Sequence, residues 1–77
     1  MKNNETKNPD IEPANYEPPK NSAELLRRYN NGERYFANAK LWRSRLAGAS
    51  LEQANLERAD LSYSFLRGVN FFGSNLR

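Results

Sequence analysis

The 77-residue sequence contains no cysteine and no histidine. Their absence removes disulfides, thiolate nucleophiles, imidazole bases and the usual zinc ligand sets together, so no catalytic, metal-binding or cofactor-binding residues are expected. No apolar run approaches the roughly 20 residues of a membrane-spanning helix, and Met1 to Asp10 hold no hydrophobic stretch of the secretory type. The expectation is a soluble, cytoplasmic protein with no membrane partner. Acidic residues are scarce in one half only. Residues 34–77 carry seven Lys and Arg against three Asp and Glu, a net +4, whereas residues 1–33 carry five against six, a net −1. An excess of this size suits weak attraction to acidic partners but falls short of the clustered Lys and Arg of nucleic-acid-binding domains.

Proline is confined to the start of the chain. All four prolines (Pro9, Pro13, Pro18, Pro19) fall in residues 1–20 among Asn, Lys and Glu, with Ile11 and Tyr16 the sizeable apolar groups besides Met1. Such a composition buries too little surface to offset its ordering entropy and predicts a disordered tail over residues 1–20. Residues 21–33 read as a short helix and turn. Asn21 is placed to cap, with Glu24 three positions on, Leu25, Leu26 and Tyr29 share a face, and Asn31 and Gly32 supply the stop. An isolated helix of this length is marginal in water, so it must dock.

Residues 34–77 carry a five-residue period. Every fifth residue from Phe36 is large and apolar: Phe36, Leu41, Leu46, Leu51, Leu56, Leu61, Leu66, Phe71 and Leu76, the expected structural core. Two residues before each centre the side chain is small (Ala39, Ser44, Ala49, Ala54, Ala59, Ser64, Val69, Ser74), with Arg34 the one departure. A period of five fits neither regular element. On an α-helix the leucines would spread round the whole circumference, and on a flat strand they would alternate between faces. The pattern becomes consistent when the chain turns about a quarter of a circle every five residues and all centres point at one axis.

The segments Ala49-Ser50-Leu51-Glu52-Gln53, Ala54-Asn55-Leu56-Glu57-Arg58 and Ala59-Asp60-Leu61-Ser62-Tyr63 resemble the A-(D/N)-L-x-x signature of the pentapeptide-repeat family over residues 36–77. The resemblance implies an all-β solenoid, a right-handed quadrilateral β-helix of about two coils, with the centre and the small residue inside and a short N-terminal capping helix. Arg45 and Phe65, where the family prefers Asp or Asn, and Ser44, Ser64 and Ser74 in place of Ala are departures. Glu24 to Phe36 is similar to the helical lead-in of cyanobacterial members, which implies a bacterial source.

Four sides of five residues stack Phe36 on Leu56 and Leu76, Leu41 on Leu61, Leu46 on Leu66, and Leu51 on Phe71. The same register places Lys40 beside Asp60 as an exposed cross-coil ion pair and puts Gly48, Gly68 and Gly73 at corners suited to positive φ. Leu25, Leu26 and Tyr29 are expected to cover the first coil. The sequence stops inside a repeat after Leu76, which implies self-association through an uncapped C-terminal coil or a fragment of a longer repeat protein.

Trp42, Tyr63, Phe65 and Phe72 fall at outward positions and form the candidate partner surface, the alternative being that they pack along the outer walls. Arg43, Arg45, Arg58 and Arg67, with Lys40, sit on different sides of the square, so nucleic-acid binding is disfavoured. Glu52, Glu57 and Asp60 lack the concave pocket a carboxylate catalyst needs. Some relatives in the resembled family bind type II topoisomerases as acidic DNA mimics, a mechanism at odds with the +4 of residues 34–77. The reading is a non-enzymatic scaffold for protein–protein interaction.

Overall fold

The structure, a computed structural model, describes residues 8–77. Among the described residues there is one α-helix, α1 (Ser22–Asn30), followed by a chain that returns to the same register every twenty residues. Parallel bridges join Tyr35 to Asn55, Lys40 to Asp60, Arg45 to Phe65, Ser50 to Asn70 and Asn55 to Asn75, each pair twenty residues apart. Each five-residue unit runs small, outer, centre, turn, turn, as in Ala54, Asn55, Leu56, Glu57, Arg58. The first coil spans residues 35–54 and the second begins at Asn55.

Every unit bends at the same place. In seven of the eight units the N–H of the next small residue donates to the carbonyl of the centre, as Ala39 does to Phe36 (3.1 Å) and Ala59 to Leu56 (2.9 Å), whereas Ala54 N–H donates to Ser74 Oγ (3.2 Å). The second turn residue has φ between 57° and 77° in all eight units from Asn38 to Gly73, whereas the first does not. A positive φ at the third residue only is the type II turn. Glycine was expected there at Gly48, Gly68 and Gly73, yet Asn38, Arg43, Gln53, Arg58 and Tyr63 adopt it too. The turn is imposed by stacking, because the coil cannot close in register without it.

The turns also explain why no extended strand forms among the described residues. Two of five residues turn and a third closes the turn bond, so one outer residue per unit is left to bridge its neighbour. Coils are held by three backbone bonds per side. On the first side Phe36 N–H donates to Asn55 O (2.7 Å), Asn38 N–H to Glu57 O (2.8 Å) and Asn55 N–H to Arg34 O (2.7 Å).

The core is deepest beside α1 and thins away from it. Phe36, Leu41, Leu46, Leu51 and Leu56 are buried, with Ala39, Ala54 and Leu25 of the helix. Leu61, Leu66 and Phe71 are partly buried, and Leu76 departs from the expected core at 50 % exposed. The less buried centres are those farthest along the chain from α1. Helix α1 follows its sequence cues. Asn21 Oδ1 accepts from Glu24 N–H (2.8 Å), and Gly32 (φ 101°) and Glu33 close the far end by donating to the carbonyls of Tyr29 and Arg28.

Composition predicts disorder for residues 1–20, of which 1–7 lie outside the described residues, but residues 8–20 are packed against the first coil. Asp60 N–H donates to Ala39 O, twenty-one residues earlier, and Lys40 N–H donates to Pro19 O (2.8 Å) at the same offset. Pro19 therefore occupies the small-residue place of a coil preceding the first, and its side chain is fully buried. Two hydroxyls complete the imitation. In the second coil the carbonyls of Glu57 and Phe72 accept amides from the coil before, and at the matching places Ala37 O and Glu52 O accept Tyr16 Oη (2.8 Å) and Tyr29 Oη (2.9 Å). Asn55 Nδ2 holds Pro9 O (2.9 Å), and the Tyr16 and Tyr35 rings meet edge-on at 4.9 Å.

Candidate interaction surface

Alternation along each side sends the centre and small residue inward and the outer residue outward, while both turn residues project from the corner. Trp42 is a first turn residue, Tyr63 a second, Phe65 an outer residue and Phe72 a first turn residue. All four stand exposed, at 56, 82, 64 and 72 % respectively. The structure does not gather them in one patch. Trp42, Tyr63 and Phe65 share the corner between the sides centred on Leu41/Leu61 and Leu46/Leu66, whereas Phe72 lies on the side centred on Leu51/Phe71, where its carbonyl accepts from Gln53.

At the shared corner each ring has an arginine beside it. Phe65 bridges Arg45, Tyr63 lies one coil on from Arg43, and the Arg43 guanidinium sits 5.2 Å from the Trp42 ring centre. The basic residues of residues 34–77 lie on different sides, as expected, but Arg43 and Arg45 straddle one corner and so act together. Arg58 stands elsewhere and pairs with Glu57 at 3.4 Å. The remaining ion pairs among the described residues join Arg28 to Glu24 and Glu33, leaving Lys40, Arg43, Arg45 and Arg67 without a carboxylate partner.

Lys40 and Asp60 are bridged through their backbones but form no ion pair. The Asp60 carboxylate instead takes the N–H (3.1 Å) and hydroxyl of Ser62, which hold its pKa below the ordinary carboxylate value. This local bond recurs. Asn55, Asn70 and Asn75 accept in the same way from the N–H of Glu57, Phe72 and Arg77 at 2.9–3.0 Å. An Asp or Asn at the outer position thus satisfies the first turn amide, which the turn itself leaves free.

Of the four stacked columns of outer residues, three contain such a residue: Tyr35/Asn55/Asn75, Lys40/Asp60 and Ser50/Asn70. The fourth is Arg45/Phe65, with a cation in one coil and an exposed ring in the next. An open groove of about 410 Å³ lies here, lined by Arg45, Ala47 and Phe65. Ala47 carries no signal as a single residue; writing the sequence in rows of twenty would have set Arg45 over Phe65, with Ala47 two places on, and shown that this column lacks Asp or Asn.

A second cavity, about 460 Å³, lies between residues 13–17 and α1. Its cation is already engaged, since Arg28 donates to Glu33 (2.9 Å), Glu24 (3.1 Å) and the Glu17 carbonyl (2.9 Å). Burial disfavours the Arg28 charge, but Glu33 and Glu24 outweigh it and raise the pKa. Burial likewise pushes the Tyr16 hydroxyl well above its ordinary value against the opposing pull of Arg28.

Glu52 accepts from Asn70, Glu57 faces Arg58 and Asp60 faces Ser62, so the three carboxylates sit on separate sides with separate partners. Among the described residues no three acidic, histidine or cysteine side chains are grouped to hold a metal ion, and no helix is long and apolar enough to cross a membrane. A family model described as pentapeptide repeats matches residues 35–73 in eight copies, just over half of the chain. No curated protein and no solved structure gives a match.

Proposed function

The chain belongs to the pentapeptide-repeat family, and from that premise we propose that it is a non-catalytic interaction module, a right-handed quadrilateral β-helix of about two coils that presents one corner to another protein. A bacterial, cytoplasmic setting goes with this reading. The observation that carries it is the Arg45/Phe65 column. Every other column keeps an outer Asp or Asn that caps a turn amide, whereas this one gives up that bond for an exposed ring and an unpaired cation beside a groove. A local rule broken without structural compensation marks a functional position. Exposed aromatics and arginine are also the residue types enriched at the energetic centres of interfaces.

The test is capture of partners from a bacterial lysate by the immobilised chain, compared across single variants. Phe65→Ala and Trp42→Ala lose the captured partner while Phe72→Ala retains it. Loss with Phe72→Ala alone moves the interface to another side. Unchanged capture by all three overturns the reading.

A second reading has its own observation. Leu61, Leu66 and Phe71 are only partly buried and Leu76 is half exposed, so this part of the coil offers apolar surface to a second copy. Light scattering after size exclusion at tens of micromolar tests it, and a monomer at that concentration removes it. Topoisomerase binding by DNA mimicry and direct nucleic-acid binding are both disfavoured. The first needs an acidic wall where this chain carries +4 over residues 34–77, and the second needs a cationic track longer than one corner supplies.

A further inference from the structure

Resting on the interaction-module reading, we infer that the corner made by Trp42, Arg43, Arg45, Tyr63 and Phe65 takes an acidic peptide segment anchored by one bulky apolar side chain. Charge argues for the acidic partner. Lys40, Arg43, Arg45 and Arg67 lie on the two sides that meet there, and none has a carboxylate within ion-pair distance among the described residues. The one acid on those sides, Asp60, is held by Ser62. The two sides thus carry four cations to one anion, which attracts and orients an acidic chain.

The groove argues for the apolar anchor. It is lined by Phe65, Ala47 and Arg45, and at about 410 Å³, open to solvent, it has room for one large side chain to lie against it. Arg43, placed against the Trp42 ring, and Arg45, at the groove wall, bracket the position where flanking carboxylates would lie. Guanidinium groups donate paired N–H bonds to carboxylates, so both positions favour Asp or Glu.

A peptide fits better than a single-stranded nucleic acid. Proteins of the latter kind track about four or more nucleotides along a cationic groove with successive stacking rings. Here the rings occupy one convex corner two coils high, and the fourth ring, Phe72, lies on another side.

Trp42 is the sole tryptophan of the chain and reports on the site directly. The full chain is titrated, at 50 mM salt, with three synthetic ten-residue peptides: Asp and Glu around a central Phe, the same peptide with Ala for Phe, and Lys around a central Phe. A twenty-nucleotide oligothymidine is the fourth probe. The acidic Phe peptide is expected to give a saturating change in Trp42 emission, weakened roughly tenfold by the loss of its Phe and roughly tenfold again by Arg43→Asn with Arg45→Gln. Asn suits the positive φ at position 43, so the variant keeps its turn. Should that variant fail to fold by circular dichroism, the wild-type titration at 50 and 300 mM salt replaces it, and several-fold weakening is expected.

No saturation by the acidic Phe peptide up to millimolar concentration overturns the inference. So does equal binding of the lysine peptide, tighter binding of the oligonucleotide, or indifference to both variant and salt. If the peptide fails while lysate capture still depends on Phe65, the interaction module stands and its acidic specificity falls. If both fail, the module falls as well.

Discussion

Replacing Ser74 by Ala should destabilise the protein more than replacing Ser64 by Ala, although both changes restore the small apolar residue usual at that place in the repeat. Each serine sits inside the second coil and reaches back to the first. Ser64 Oγ donates to Leu41 O (2.5 Å) and accepts from Ser44 N–H (2.9 Å), and Ser74 Oγ donates to Leu51 O (2.5 Å) and accepts from Ala54 N–H (3.2 Å). The difference lies in what remains after the hydroxyl is removed. Ser44 N–H also donates to Leu41 O at 3.2 Å, closing its own turn, so after loss of Ser64 Oγ both groups still have a partner. The Leu51 turn has no such bond, and Ala54 is 1 % exposed, so loss of Ser74 Oγ strands a buried N–H.

A lost but replaceable hydrogen bond costs about 0.5–1.5 kcal/mol, and an orphaned buried donor about 1–3 kcal/mol. The expected gap is therefore about 1 kcal/mol, or roughly 4–8 °C in Tm for a chain of this size. Thermal and urea denaturation followed by far-ultraviolet circular dichroism measure it. If the two variants melt together, or if both melt above the wild type as a return to the commoner residue would suggest, the hydroxyls are not structural bridges and the reasoning fails.

Tyr63→Gly should stabilise by about 0.5–1 kcal/mol in the same denaturation assay, because φ of 58° costs a β-carbon about 1–2 kcal/mol and glycine gives back part of that as entropy; an unchanged or lower midpoint argues against strain at the corners. Leu25→Ala, which empties a fully buried site, should cost about 2–5 kcal/mol, whereas Leu76→Ala at a half-exposed site should cost about 1 kcal/mol or less. Equal losses would mean that α1 is not a cover. Tyr16 and Tyr35 have raised hydroxyl pKa values, from burial first and then, for Tyr35, from Glu12. The folded state thus favours their protonated forms, so their contribution is complete below about pH 10 and is lost as the pH climbs beyond it. Urea midpoints between pH 8 and 11.5 should fall only above pH 10, less steeply in Tyr16→Phe; a decline beginning near pH 8 would contradict this.

Much of the architecture could be read from the period alone. Phe36 through Leu56 needed only their spacing to be placed inside, and Asn21, Glu24 and Gly32 marked α1 because capping is a local event. Residues 8–20 could not be read this way. Pro19 means nothing as a proline in a polar tail, and acquires its role only when Lys40 offers an amide twenty-one residues later. Left-handed conformations at Arg43 and Tyr63 were hidden for a similar reason, since glycine is the local signal and coil closure overrides it. The expected Lys40 to Asp60 pair failed because Ser62, two residues away, competes successfully for a solvent-exposed carboxylate. At the candidate corner the four aromatics were legible as outward, but their division into three and one required the columns of the stacked coils.

The borrowed coil shields the leading edge of the first coil. Pro19, Tyr16 and Tyr29 engage backbone groups that a stray strand would otherwise seek. That edge is therefore shielded from templating, the pairing with another chain that an unprotected sheet edge invites. Proline is apt for the task. It offers a carbonyl to the coil behind it and, having no N–H, gives an incoming chain nothing to grip.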